Sequence, residues 1–85
     1  MKAFEYTVKD ELGIHARPAG LLVKEAKKYD SKIVIKKDTK AVEATKLMAV
    51  MSLGVKRGQE VEVEISGSDE TTAYEELKAF FEANL

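Results

Sequence analysis

Between Gln59 and Ser66 every second residue is apolar: Val61, Val63 and Ile65 alternate with Glu60, Glu62 and Glu64. Successive side chains of a strand point to opposite faces, so this period of two predicts one buried and one wet face. Antiparallel sheets tolerate water on one side, whereas parallel sheets are covered on both. The rest of the chain must then supply a single layer over the apolar side. Phe4, Tyr6 and Val8 alternate with Glu5 and Thr7 and predict a first strand. Ile33-Val34-Ile35 is a short β-branched run, and Ala41-Val42-Glu43-Ala44 a weaker strand. Lys37 to Lys40 reads as the hairpin turn between them, although it lacks an Asn-Gly or Asp-Gly pair.

The covering layer is legible as a change of period. From Ala16 onward, Ala19, Leu22, Val23 and Ala26 fall at helical spacing, with Lys24, Glu25, Lys27 and Lys28 facing out. Pro18 suits the first turn of such a helix, where a missing N–H costs nothing. This helix is expected to end near Tyr29-Asp30-Ser31. Thr45 is placed to cap a short helix through Leu47, Met48, Val50 and Met51, closed by Gly54. Gly67-Ser68-Asp69 caps a last helix whose core face is Ala73, Leu77, Phe80 and Phe81. The order β-α-β-β-α-β-α predicts a two-layer α+β sandwich. Periodicity alone also allows a ferredoxin-like strand order.

Composition narrows the chemistry. An 85-residue chain without repeats or linkers is expected to form one domain over residues 1–85. It has no Cys, which removes disulfides, thiolate metal sites and Cys nucleophiles, so the apolar 45% must build the core unaided. Its 14 basic and 15 acidic residues nearly cancel, giving a nucleic-acid role no support. Met1-Lys2-Ala3-Phe4-Glu5 is not a signal-peptide start, and no apolar run approaches the roughly 20 residues that span a membrane. A cytoplasmic monomer is expected, with no direct membrane insertion.

The one His lies beside a helix start, in Gly13-Ile14-His15-Ala16-Arg17-Pro18-Ala19. The first N–H groups of a helix lack intrahelical partners and carry the positive end of its dipole. A phosphate on the His15 ring would meet an anion cradle at Ala16 and Arg17. The Arg17 guanidinium adds a planar, permanent charge. An imidazole changes charge near neutral pH, so in the cell a ring nitrogen can attack phosphorus. Against this stands the ordinary reading of a lone His as a surface or loop residue without chemistry.

The heptapeptide resembles the active-site motif of the histidine-containing phosphocarrier (HPr) family of bacterial sugar phosphotransferase systems. The likeness extends to Leu21-Leu22-Val23 and to Met48-Ala49-Val50-Met51-Ser52-Leu53-Gly54-Val55, which resembles the family's second signature. The resemblance implies an HPr-like open-faced β-sandwich: a four-stranded antiparallel sheet in order 1-4-2-3 with three helices on one face. It implies a carrier rather than an enzyme, needing no cofactor and no metal. Enzyme I, charged by phosphoenolpyruvate, would phosphorylate His15 on Nδ1, and a sugar-specific IIA domain would take the group onward. Arg17 matches the family's phosphate-contacting Arg.

Leu47, Met48 and Met51 read two ways, as core residues of a short helix or as a docking patch beside His15. Methionine suits a surface that fits several partners. Gly20, Lys24 and Lys27 would border such a patch, the lysines steering acidic partners. One position departs from the pattern: regulated carriers of Gram-positive type have Ser, the target of an ATP-dependent kinase, just before the Leu-Met, and this chain has Lys46. Two rivals lack their signatures. An acylphosphatase needs a Gly-rich phosphate loop, and a KH-type RNA-binding module needs Gly-x-x-Gly, whereas Gly54-Val55-Lys56-Arg57-Gly58 has one residue too many. A phosphorylatable paralogue serving regulation or a non-sugar branch remains the alternative.

Overall fold

A computed structural model describes residues 1–85. The alternating segments form β1 (Lys2–Thr7), β2 (Lys32–Lys37), β3 (Lys40–Glu43) and β4 (Glu60–Ser66). The segments of helical period form α1 (Ala16–Ala26), α2 (Leu47–Ser52) and α3 (Glu70–Asn84). All strand pairs are antiparallel, in the order β1-β4-β2-β3. This is the open-faced arrangement and not the ferredoxin-like one. No helix is long and apolar enough to cross a membrane.

Register explains why the apolar residues share a face. Val63 lies between Phe4 of β1 and Ile35 of β2, and Ile65 faces Ile33. These side chains are buried, as are Ala19, Leu22, Val23 and Ala26 of α1 and Ala73, Leu77 and Phe81 of α3. Phe81 is the largest fully buried side chain, and it meets Phe4 edge-on at 5.4 Å and Tyr6 at 5.5 Å. Phe80 is only half-buried, because it lies at the edge of the α3 stripe rather than at its centre. On the other face of the sheet Glu5, Glu62 and Lys36 stand side by side, and Lys36 Nζ donates to Glu64 Oε2 at 2.9 Å. That bond pushes the Lys36 ammonium pKa up.

The turns differ in detail from the sequence reading. The β2–β3 hairpin closes at Asp38, which takes φ = 55°. Asp tolerates this left-handed conformation better than most residues, which removes the need for Asn-Gly. Thr45 does not cap α2. The chain is still extended at Lys46, with φ = −111° and ψ = 101°, so Lys46 is the N-cap and the Thr45 hydroxyl sits one residue too early. Lys46 makes no side-chain cap bond. Asp69 is the N-cap of α3, but its carboxylate turns away from the helix. It accepts the N–H groups of Asp30 (2.9 Å) and Ser31 (3.0 Å) and the Ser31 hydroxyl. The loop after α1 is thereby fastened to the start of α3. Regular helix in α1 stops at Ala26, a few residues before the Tyr29-Asp30-Ser31 stop.

Candidate functional site

The loop between β1 and α1 is held by backbone bonds at three places. The Val8 N–H donates to the Gln59 carbonyl, and Lys9 and Asp10 both donate to the Leu85 carbonyl, at 2.7 and 3.0 Å. The Ile14 N–H donates to the Val55 carbonyl at 3.0 Å. Gly13 makes that last contact possible. Its φ is 71°, and a Cβ there would collide with the Val55 carbonyl oxygen and lie 2.7 Å from Lys56 Cα. The Ile14 side chain is buried, so the chain enters α1 anchored on both sides.

His15 is the N-cap of α1, with extended backbone and its carbonyl accepting the Ala19 N–H at 3.0 Å. Its side chain makes no cap bond. Pro18 has no N–H, so Ala16 and Arg17 supply the two N–H groups of the first turn, and neither has an acceptor in the protein. An unpaired N–H pair at the dipole's positive end favours an anion. The Arg17 guanidinium is exposed and belongs to no salt bridge. Around the imidazole runs a shallow cleft of about 280 Å³, lined by Asp10, His15, Arg17, Pro18, Leu21, Ala83 and Asn84. Asp10 Oδ1 lies 3.7 Å from His15 Nε2.

Of the expected residues, His15, Ala16 and Arg17 share this turn. Gly20 and Lys24 follow on α1 and Lys27 is its C-cap, while Leu47, Met48 and Met51 lie on α2, which packs against α1. Their exposure separates the two readings of the second helix. Met48 is 76% exposed and Leu47 40%, while Val50 and Leu53 are buried and Met51 is half-buried. Large apolar side chains left in water on a helix packed against α1 suit a contact surface better than a core. Sequence reasoning missed Asp10, Leu21, Ala83 and Asn84. Leu21 was visible as an apolar residue on the polar face of α1, but nothing local signals that the end of α3 reaches the His15 loop.

A larger depression, about 400 Å³, lies on the open face of the sheet among Glu5, Lys36, Glu60 and Glu62. Its lining is rich in carboxylates, with Lys36 already paired to Glu64 and Lys37 donating to the Leu53 and Gly54 carbonyls, so size there does not mark chemistry. No three His, Asp or Glu side chains gather where a metal ion could sit.

The chain as a whole is similar to known proteins in sequence and in fold. The family model "PTS HPr component phosphorylation site" matches residues 2–83. The chain belongs to the HPr family. It is 39% identical over 75 residues to the phosphocarrier protein HPr of Treponema pallidum, covering 88% of this chain and 85% of that one. The fold matches HPr of Thermoanaerobacter tengcongensis with a TM-score of 0.93 at 40% identity, over 99% of this chain and 94% of that one. The Bacillus anthracis HPr structure gives 0.87 at 36% identity, over 94% and 95% of the two chains. Members of the HPr family are phosphocarriers of the phosphotransferase system and not enzymes in themselves.

Proposed function

We propose that His15 accepts a phosphoryl group from Enzyme I and passes it to a IIA domain of a sugar permease. The observation that carries this reading is the juxtaposition at one turn. The imidazole of His15, the N-cap residue of α1, makes no cap bond and stands at the helix start with the free N–H groups of Ala16 and Arg17 and a guanidinium in no salt bridge. The ring nitrogen Nδ1 attacks phosphorus, and the leaving group departs with the partner. The helix N-terminus and Arg17 then face the charge on the phosphoryl oxygens. Fixed donors of this kind need no reorganisation as charge moves. Transfer onward reverses the same steps with a second imidazole as acceptor, which accords with a site open to solvent rather than enclosed.

In the same reading Leu47, Met48 and Met51 form the apolar centre of the docking face, and Gly20, Lys24 and Lys27 its border. An apolar centre with a charged rim is the usual anatomy of a transient interface. Gly20 has nothing within 4 Å of the place a Cβ would occupy, so it keeps the surface low rather than relieving a clash. Lys46 offers no hydroxyl to a serine kinase, so this carrier cannot take a kinase phosphate at that position.

The test is incubation with phosphoenolpyruvate and Enzyme I followed by intact mass. The parent should gain about 80 Da, one phosphoryl group. His15→Ala should gain nothing while melting close to the parent, since the side chain caps nothing and surface changes cost under about 0.5 kcal/mol. A gain of mass by the Ala variant would place the acceptor elsewhere.

A further inference from the structure

We infer that Asp10 is a positioning residue for His15, holding the proton on Nε2 so that Nδ1 is left as the nucleophile. The inference rests on His15 as the phosphate acceptor and adds a residue that the carrier motif does not contain.

A neutral imidazole has one N–H and one lone pair, and the group facing one nitrogen decides which it carries. Nε2 faces a carboxylate. Asp10 Oδ1 is 3.7 Å away, and both side chains are about one-third exposed. That distance is too long for a hydrogen bond, but catalytic contacts often tighten only as charge develops. Asp10 itself is held firmly. Its Oδ1 accepts the Leu12 N–H at 2.9 Å, its carbonyl accepts the Gly13 N–H at 2.9 Å, and its N–H donates to Leu85. Asp10 carries the one carboxylate among the residues lining the cleft, and Asn84 offers only a neutral amide oxygen. Arg17 has no acceptor atom, and the Asn84 amide donates to the Phe80 carbonyl.

The placement acts at both transfer steps. As Nδ1 gives its lone pair to phosphorus, the ring keeps its Nε2 proton and becomes positive, and the Asp10 carboxylate opposes that charge. As the phosphoryl group leaves, the N–P electron pair returns to Nδ1. With Nε2 still protonated, the leaving group is neutral imidazole. Without that proton it would be an imidazole anion, a far poorer leaving group.

Two variants separate charge from scaffold. Asp10→Asn keeps an oxygen for the Leu12 N–H and removes the charge, while Asp10→Ala removes both. The ring nitrogens of His15 are followed by NMR in each protein, free and after loading with Enzyme I and phosphoenolpyruvate, with melting curves alongside. The neutral ring of the parent should carry its proton on Nε2, and Asp10→Ala should gain the Nδ1–H form. Donation to a IIA acceptor should slow about 2–5-fold in Asp10→Asn, the range for one partly exposed ion pair, and the gap should narrow in high salt. Unchanged ring signals and an unchanged rate in a folded Asp10→Asn and Asp10→Ala pair would overturn the inference. Failure of the parent to load would refute His15 as acceptor instead, while the free-ring comparison would still decide the role of Asp10.

Discussion

The contact between Gly13 and the Val55–Lys56 backbone makes a quantitative test of how the site is held. In Gly13→Ala the new Cβ meets two costs. A non-glycine residue in the left-handed region loses about 1–2 kcal/mol. The Cβ also collides with backbone atoms, which cannot rotate aside, so the loop must retreat. Retreat breaks the bond from Ile14 to Val55, a net loss of about 0.5–1.5 kcal/mol. It also partly exposes the Ile14 side chain, whose full burial is worth about 1.5–3 kcal/mol. Lower entropy of the unfolded chain returns about 0.4–1 kcal/mol. The sum is a loss of about 2–4 kcal/mol, or roughly 10–25 °C in melting temperature for a domain of this size. Gly54→Ala is the control, because Gly54 has φ = 61° but open space around its Cβ, so it meets the conformational cost alone. Both proteins are melted by circular dichroism and loaded with phosphate by Enzyme I. Gly13→Ala should melt well below Gly54→Ala and load more slowly. Equal melting of the two would refute the idea that the close approach to Val55 and Lys56 sets the His15 loop.

Three further outcomes are expected. Gly20→Ala fills open space inside α1 and should raise stability by up to about 1 kcal/mol, checked by thermal melting; slower donation to a IIA acceptor would show why the surface is kept low. Lys46→Glu replaces a cation at the N-cap of α2 with an anion beside exposed Leu47 and Met48, and should weaken docking to an acidic Enzyme I, chiefly at low ionic strength, by titration calorimetry. The Asp69 carboxyl has its pKa lowered, first by the Ser31 hydroxyl and then by the Asp30 N–H. A depressed value means stability present above the ordinary carboxylate range and lost as pH falls through the lower folded value. Asp69→Asn should therefore flatten the acid limb of the melting-temperature profile, and an unchanged limb would assign acid sensitivity to other carboxylates.

The legible parts of this molecule are those whose signal is local. The stripe Ala19, Leu22, Val23, Ala26 and the alternation of Val61, Val63, Ile65 each report their own burial, and both sets are buried. His15 was visible for the same reason, because a helix start and a Pro lie within three residues of it. Strand order was not local. The alternation in Phe4 and Tyr6 says that β1 has a buried face, not that Val63 and Val61 are its partners, and the family likeness supplied what periodicity left open. Thr45 misled because it is the better capping residue by type, while the backbone bends one residue later. Asp10 and Asn84 border the cleft only because α3 reaches back to the β1–α1 loop.

That reach also sets when the site can exist during folding. The β1 strand pairs with β4, and the segment carrying Asp10 hangs on carbonyls at positions 55, 59 and 85. Contacts of such sequence separation close late and slowly, because the chain between them must be ordered first. A chain emerging residue by residue can form α1 early, yet its His15 lacks a fixed surrounding until residues 83–85 arrive. The turn around His15 is thus organised only once α3 is in place. Before that, the β1–α1 loop lacks its Val55, Gln59 and Leu85 acceptors, and the start of α1 has no fixed frame.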